Sequence, residues 1–212
     1  TCASVNGEVV DLRYVLNKDC ELTIHTFESS LEGKKAYWHT TSHIMAQAVK
    51  RLFPDVKFAI GPAIDEGFYY DFQLPRSLNQ DDFKTIEDKM REILKRREDF
   101  KYVELSREEA LERFKDQEFK VELINDLPEG EKISMYYTGD DFVDLCRGPH
   151  VDNAAELMSC AYKVKSVSSA YWRGDEKRPM LTRVYGVTFP KKSMLDEYLA
   201  MLEEAKKRDH RK

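Results

Sequence analysis

The sequence predicts an α+β fold in which helices pack on a mainly antiparallel sheet. Some segments repeat apolar residues at helical spacing, whereas others are short runs rich in Val, Phe and Tyr that end at turn residues. The helical segments are segregated from the strand-like ones, which is typical of this class. With 212 residues, 42% of them apolar, the chain is long enough to form a packed core.

The composition excludes several classes of protein. A net charge of −5 argues against a strongly basic, sequence-indifferent nucleic-acid binder, although a local basic surface remains possible. No apolar run reaches membrane-spanning length, no secretory signal is evident, and four cysteines are too few for a disulfide scaffold. We therefore expect a cytoplasmic protein with no membrane partner. Because the chain begins with Thr1 rather than Met, we expect a fragment or a processed product.

The first elements are short β-like pieces within residues 1–27. Asn6-Gly7 favours a tight hairpin between two of them. This piece is too short to hold a core alone, so we interpret it as part of a truncated domain. Residues 28–35 are polar and contain a glycine, which predicts a linker.

A helix and a hairpin follow. From Thr40 onward, apolar residues recur at helical spacing until Pro54 ends the run. Residues 58–72 are rich in Phe and Tyr and predict two strands about a turn at 65–67. A second amphipathic helix is predicted at about 81–96.

The second half of the chain is mostly strand-like. Ser106 has the sequence context of a helix start, and residues 119–121 look like a strand. A final helix is predicted from about 192, and it ends in a basic run that we interpret as a solvated linker. The remaining predicted strands are 132–137, 142–145, 162–169 and 180–188.

Three of the five histidines belong to two short motifs, His39-x-x-x-His43 and Cys146-x-x-x-His150. Residues four apart share a helix face, so His39 and His43 should project together, away from the apolar stripe. The plainer interpretation is a pair of solvated surface histidines. Both motifs in a chain with so few histidines favour a shared functional site.

Two chemistries fit these residues. The four side chains could ligate a tetrahedral zinc, and because all four positions would come from the protein, such a site would be structural. Alternatively, neutral imidazoles could move protons while water acts as the nucleophile, with no metal. Asp144 should face the same side as Cys146 on a strand, where it could orient a histidine or a substrate amine. The spacing alone leaves both chemistries open.

Six motifs in fixed order carry a family resemblance: Trp38–His43, Phe58–Pro62, Gly67–Asp71, Asp144–His150, Ala170–Asp175 and Arg183–Gly186. Together they resemble the editing domain of bacterial-type threonyl-tRNA synthetases, over residues 36–190. The second additional domain of alanyl-tRNA synthetases shares the His and Cys motifs. Residues 1–27 are similar to part of the ubiquitin-like domain that precedes this editing domain. Residues 191–212 are similar to the helix leading to the aminoacylation core, whose own motifs are absent from this sequence.

The resemblance implies hydrolysis of the ester in mischarged seryl-tRNA(Thr). A missing methyl group changes binding by only about 1–3 kcal/mol, so serine escapes a threonine-selecting site and must be removed at another one. The resemblance implies a pocket lined by six residues: His39, His43, Lys120, Asp144, Cys146 and His150. It implies that His39 and Lys120 position or activate water and that Asp144 holds the seryl group.

The resemblance also implies cofactors and partners. Editing requires no cofactor, with zinc on His39, His43, Cys146 and His150 as the alternative, while ATP and a further zinc belong only to the absent aminoacylation core. The implied partners are the acceptor end of tRNA(Thr) and the missing aminoacylation and anticodon-binding domains, within a full-length homodimer. The competing hypothesis is a non-catalytic, zinc-stabilised module that binds the tRNA acceptor end.

Other residues allow both a functional and a structural interpretation. Tyr69 and Tyr70 could contact the terminal adenosine or be core aromatics, and they should point to opposite faces. Arg173 could bind phosphate or simply pair with Asp175, and we favour the structural role. Ser168-Ser169 lies at the end of the predicted strand 162–169, where many relatives have Ala-Gly, and its hydroxyls could alter the pocket if this segment faces the terminal adenosine. Two further cysteines and the strand histidine look structural: Cys2, Cys160 and His25.

Overall fold

The computed structural model of the chain describes residues 1–209. Every strand pair in the described part is antiparallel, which confirms the predicted α+β class. The strands are β1 (Cys2–Val5), β2 (Glu8–Val10), β3 (Leu22–His25), β4 (Lys57–Phe58), β5 (Ala63–Ile64), β6 (Gly67–Gln73), β7 (Phe100–Leu105), β8 (Ile133–Thr138), β9 (Phe142–Leu145), β10 (Ala161–Tyr171) and β11 (Met180–Phe189). The helices are α1 (Leu31–Leu52), α2 (Gln80–Lys95), α3 (Arg107–Arg113), α4 (Glu118–Asp126) and α5 (Lys192–Asp209).

Residues 1–27 form a small three-stranded sheet in the order β2-β1-β3, which we call the N-terminal unit. Asn6 and Gly7 connect β1 to β2 and both have positive φ, at 50° and 83°. Positive φ at both central residues is the requirement of a type I′ hairpin turn, so the predicted turn is confirmed. The side chains buried in this unit are few: Cys2, Ala3, His25 and Phe27.

Helix α1 begins within the segment predicted to be a linker. Ser30 caps it by accepting a hydrogen bond from the Gly33 amide, so residues 31–35 are its first turn. The predicted linker was therefore wrong for these residues. The glycine that suggested a linker is needed for packing instead, because a Cβ atom on Gly33 would lie 2.0 Å from the Thr26 carbonyl oxygen. The helix ends just before Pro54, as predicted.

The largest sheet has the order β10-β11-β6-β4, with β5 added beside β6. The Asp65–Gly67 turn joins β5 to β6, which confirms the predicted hairpin. Helices α1 and α2 pack together against this sheet. Because sheet and neighbouring helix both cover α1, it is buried on most of its surface rather than along a single stripe. Side chains projecting from α1 therefore lie inside the molecule.

The third sheet has the order β7-β8-β9 and carries α3 and α4 on the chain between β7 and β8. Ser106 begins α3 with a complete capping box, as its sequence predicted. Residues 119–121 lie in helix α4, so the predicted strand was wrong. The local sequence carries no signal for the start of this helix, because Gln117 at its N-cap makes no side-chain hydrogen bond to the helix.

The carboxyl-terminal helix α5 confirms the helix predicted from about 192, and it packs on β11 and buries Leu195 and Tyr198. The last three residues of the predicted basic run, 210–212, lie outside the described residues. Within residues 1–209, every helix is too short or too polar to cross a membrane.

Candidate functional site

Helix α1 and the segment after β9 bring both predicted motifs to one place. The imidazole centroid of His150 lies 4.3 Å from that of His39 and 4.2 Å from that of His43. The possible ligand atoms of these three histidines and Cys146 all lie within 4.8 Å of one another. We call these four residues the His/Cys cluster. It joins parts of the chain that are more than a hundred residues apart in sequence.

The cluster is largely shielded from water. His43 and His150 are 1% and 0% exposed, so the interpretation as solvated surface histidines is wrong. His39 is partly exposed and lines a cleft of about 450 Å³ together with Pro62, Gly148 and Pro149. The cleft gives a small molecule or chain end access to the cluster from the His39 side.

Hydrogen bonds define the protonation of His150. Thr40 Oγ1 donates its only proton to the Ala36 carbonyl at 2.8 Å and lies 3.0 Å from His150 Nδ1. Nδ1 must therefore carry the proton and donate it to Thr40. His150 Nε2 is then an acceptor, and it lies 3.2 Å from the Cys146 sulfur. This arrangement requires Cys146 to be a thiol that donates to His150.

Asp144 is the centre of a buried polar network beside the cluster. Its carboxylate lies 2.6 Å from Lys120 Nζ and accepts a hydrogen bond of 2.6 Å from the Tyr70 hydroxyl. His43 Nε2 approaches the same carboxylate at 3.3 Å. Burial alone would raise the pKa of Asp144, but the charge of Lys120 and the hydrogen bonds from Lys120 and Tyr70 lower it. Asp144 is therefore an ionised carboxylate at neutral pH.

The cluster itself is uncharged at neutral pH. Burial lowers the pKa of His43 to about 3, even though Asp144 opposes this shift. Burial likewise lowers the pKa of His39, and it lowers that of His150 well below the usual range. Burial and the charge of Asp144 raise the pKa of the Cys146 thiol far above its usual range. The site therefore presents neutral imidazoles and an unreactive thiol beside one buried ion pair.

The four cluster residues also fit a zinc ion. Imidazole nitrogen and thiolate sulfur are preferred zinc donors. The Nε2 atom of neutral His43 lies 3.3 Å from the Asp144 carboxylate, and its Nδ1 has no hydrogen-bond partner within the described residues. A buried nitrogen with a free lone pair suits a metal or an ordered water. His39, His43, Cys146 and His150 would hold the ion, provided that Cys146 gave up its proton.

The structure separates the residues predicted to bind the terminal nucleoside. Tyr70 lies inside the molecule, whereas Tyr69 lies on the other sheet face, 4.0 Å from the Arg183 guanidinium. The prediction of opposite faces is confirmed. Arg173 pairs with Glu122 and Asp126 rather than with Asp175, so that expected pair was wrong. The sharp turn at Arg173, with φ of 57°, directs it towards α4 instead.

The remaining predictions concern structural residues. Ser168 and Ser169 lie in strand β10, paired with Arg183 and Thr182, which confirms the predicted strand 162–169. Strand β10 continues unbroken here because β11 offers it a full antiparallel partner. His25 bonds to Ser4 Oγ at 2.7 Å, as befits a structural residue. Cys2 and Cys160 are both buried packing residues, as predicted.

The sequence analysis did not predict the roles that two site residues have in the structure. Thr40 fixes the tautomer of His150, and the Tyr70 hydroxyl binds Asp144. The only signal for Thr40 was a polar residue next to His39 on a helix. Tyr70 had no such signal, because its contact depends on how β6 faces β9.

Comparison with known proteins supports the resemblance drawn from the motifs. Residues 133–185 match the family described as the threonyl and alanyl tRNA synthetase second additional domain. This match includes Asp144, Cys146 and His150, while α1 and α4 lie outside it.

Whole-chain similarity extends the comparison. A protein named threonine–tRNA ligase from Caldanaerobacter subterraneus subsp. tengcongensis is 58% identical over 209 residues, which is 98% of this chain. Proteins of the same name from Clostridium perfringens and Clostridioides difficile are 56% and 53% identical over 100% and 99% of it. The chain spans about a third of the length of these relatives, 32% in the first case.

Proposed function

The chain belongs to the threonyl-tRNA synthetase family, and from that premise we propose that its His/Cys cluster hydrolyses the ester of mischarged seryl-tRNA(Thr). The observation that carries the proposal is the buried Lys120–Asp144 pair beside three neutral imidazoles. A site of this kind has a cation, a carboxylate and proton acceptors in one place, as ester hydrolysis requires. The proposed partner is the acceptor end of tRNA(Thr), within a longer protein that supplies the aminoacylation and anticodon-binding domains.

Water is the proposed nucleophile. The pKa of the Cys146 thiol is raised by burial, so without a metal it does not form the thiolate that covalent catalysis needs. His39 is the cluster member that lines the cleft, and it is neutral at pH 7 because burial lowers its pKa. A neutral imidazole at the opening can orient a water molecule and accept its proton as the water oxygen attacks the ester carbon. The imidazolium so formed can return that proton to the ribose oxygen as the ester bond breaks, which leaves serine and an uncharged tRNA end.

In this proposal, Lys120 and Asp144 stabilise opposite charges on the substrate. The ammonium of Lys120 can stabilise the negative charge that develops on the ester oxygen. Asp144 is ionised, accepts a hydrogen bond from Tyr70 and lies within 3.3 Å of Lys120 Nζ and His43 Nε2, and a carboxylate offers about four lone-pair sites. One site remains for the ammonium of the seryl group. Tyr70 thus acts through Asp144, while Tyr69 remains a proposed contact of the terminal nucleotide outside this network. Arg173, paired with Glu122 and Asp126, keeps the structural role.

Close packing around the site supports the proposed selectivity. The rings of Tyr70, which donates to Asp144, and of Phe142, whose centroid lies 6.0 Å from that of His43, are both fully buried. Rings packed in this way do not make room for an extra methyl group without strain of about 1–3 kcal/mol. Seryl-tRNA should therefore be cleaved and threonyl-tRNA spared.

The test compares deacylation of seryl-tRNA(Thr) and threonyl-tRNA(Thr) at high protein concentration. We expect His39→Ala to slow seryl-tRNA hydrolysis about 10²-fold or more, as is usual when a proton acceptor is lost. His25→Ala is the matched control, because among residues 1–209 the His25 side chain bonds only to Ser4, in the N-terminal unit. Equal rates for His39→Ala and wild type would reject the assigned site.

A zinc-stabilised module that binds the acceptor end without cleaving it is the second candidate. It is favoured by the unpartnered His43 Nδ1 and by the four donors around it. Metal analysis of purified protein distinguishes the two candidates. Stoichiometric zinc, unfolding on chelation and no deacylation would establish the module, whereas hydrolysis that survives chelation would establish the metal-free esterase.

A further inference from the structure

The N-terminal unit contacts the body of the protein next to the His/Cys cluster. Its loop after β2 carries Asp11 and Arg13, whose side chains are only 10% and 21% exposed. Both point away from the unit's own sheet and bond to residues of β7, β8 and the segment after His150. Such bonds are unusual for surface loop residues and call for a reason.

Arg13 forms hydrogen bonds to two chain segments next to His150, namely the start of β7 and the residues that follow His150. Its guanidinium donates to the Phe100 carbonyl at 2.8 Å and to the Val151 carbonyl at 3.0 Å, and it also bonds the Asp152 carbonyl. Val151 directly follows His150. The Phe100 ring stacks on the imidazole of His150, with centroids 5.5 Å apart and planes at 5°.

Asp11 positions Tyr136, a third residue that contacts the His150 imidazole. Its carboxylate accepts a hydrogen bond of 2.5 Å from the Tyr136 hydroxyl. The ring of Tyr136 meets His150 edge-on, with centroids 4.6 Å apart. The tyrosine also defines the path of the chain before His150, since a Cβ atom on Gly148 would lie 2.4 Å from the Tyr136 hydroxyl.

We propose that Asp11 and Arg13 are positioning residues that hold the His150 imidazole in register with Cys146 and Thr40. Three groups around His150, namely Phe100, Tyr136 and Val151, are each bonded to one of these two side chains. The N-terminal unit therefore completes the site without entering it. This inference rests on the proposed ester hydrolysis, in which His150 belongs to the reacting cluster.

The geometry explains why a guanidinium is used. One planar group with several N–H donors can bond three carbonyls that face different ways, whereas an ammonium on a flexible stem holds no such plane. An error of about 1 Å in a reacting group can cost about 10²-fold in rate. Loss of Arg13 should thus act on the rate of the chemical step more than on binding.

The first test measures seryl-tRNA(Thr) deacylation by Arg13→Ala and Tyr136→Phe at a temperature where circular dichroism shows every variant to be folded. We expect Arg13→Ala to lower kcat about tenfold and to change KM by less than about twofold. Tyr136→Phe keeps the ring against His150 and removes only the bond to Asp11, so its effect should be smaller in the same direction.

Arg91→Ala is the matched control. Arg91 also donates to two backbone carbonyls, those of Met158 and Cys160, and it stacks on Tyr162 away from the cluster. A purely structural role for Arg13 predicts equal behaviour of the two alanine variants. Positioning predicts that kcat falls only for Arg13→Ala.

The second test does not depend on activity. Nitrogen chemical shifts of the His150 ring report its tautomer, which wild-type protein should hold with the proton on Nδ1. In Arg13→Ala, but not in Arg91→Ala, we expect these shifts to move towards a mixture of tautomers. Unchanged His150 shifts and unchanged kcat in Arg13→Ala would overturn the inference. Should wild-type protein fail to cleave seryl-tRNA, the proposed function falls, and the His150 shifts still decide whether Arg13 positions the ring.

Discussion

At the scale of single residues, the main feature is an ion pair inside the protein. The side chains of Lys120 and Asp144 are 3% and 4% exposed. Taking both charges out of water is costly, and their mutual attraction with further hydrogen bonds must offset that cost. A pair of this kind adds little net stability compared with an apolar pair, so its presence is better explained by function.

Lys120→Met should destabilise the protein by about 3–5 kcal/mol, because it leaves the Asp144 carboxylate buried without its partner. Adding Asp144→Asn removes the second charge while keeping an acceptor for Tyr70, so most of that loss should be recovered. Urea unfolding of both variants measures this. Lys84→Met, which removes an exposed pair with Asp88, should leave the free energy of unfolding nearly unchanged. A double variant as unstable as Lys120→Met would contradict the argument.

The buried histidines make stability depend on pH. Burial lowers the pKa of His43 from 6.5 to about 3 in the folded protein. Above pH 6.5 the imidazole is neutral in both states, so folding carries no proton penalty. Between pH 6.5 and 3 only the unfolded chain binds the proton, which removes about 1.4 kcal/mol of stability per pH unit. Below the folded pKa the loss levels off.

In chelator-treated wild-type protein, the free energy of unfolding should fall as the pH is lowered from 6.5 to 5. His43→Asn should make this fall less steep, by the amount that corresponds to the uptake of about one proton. Some pH dependence of the free energy of unfolding should remain in this variant, because burial also lowers the pKa values of His39 and His150. Urea titrations at several pH values measure this free energy. Parallel curves for variant and wild type would show that His43 is protonated in the folded state.

At the scale of elements, close backbone approaches hold the network in place. Gly61 lies between β4 and β5, and a Cβ atom there would meet the Tyr70 ring at 2.0 Å. That ring cannot move aside freely, because it is fully buried and bonded to Asp144. The contact links the path of a loop to the geometry of the site.

Gly61→Ala should thus destabilise the protein by about 1–3 kcal/mol and slow seryl-tRNA hydrolysis even when the variant is folded. Gly33→Ala is the matched control, since its Cβ would meet the Thr26 carbonyl oxygen, also at 2.0 Å, away from Asp144. The control should lose stability but keep its rate. Full activity in folded Gly61→Ala would mean that Tyr70 does not position Asp144.

The elements also show how far the sequence determines the fold. The bounds of helix α2 were predicted to within one residue from its amphipathic pattern, and the start of helix α3 was predicted from Ser106, which begins a capping box. Helix α4 was missed, since its start carries no side-chain cap and its short apolar run fits either a helix or a strand. The site follows the same pattern. Motif spacing predicted the His/Cys cluster, but the bonds from Tyr70 and Thr40 depend on packing between distant segments.

At the scale of the whole molecule, the N-terminal unit depends on the body for its structure. Its three short strands leave Leu22 and Ile24 48% and 56% exposed. A small sheet with so little buried apolar surface is marginal by itself. The unit docks through Arg13 and through Phe27, whose ring lies 5.2 Å from Tyr37 and 5.7 Å from Trp38 between centroids.

Phe27→Ala should therefore loosen the N-terminal unit before the rest of the protein. The substitution removes a ring that is 4% exposed, a change that costs about 3–5 kcal/mol in packed cores. We expect amides of β1 and β3 to exchange with solvent much faster than in wild type, while those of α1 and β6 stay protected. Ile24→Ala, on the exposed face of β3, should leave both sets unchanged. Equal acceleration throughout the chain would instead show that unit and body unfold only together, in which case the unit would be inseparable from the site it supports.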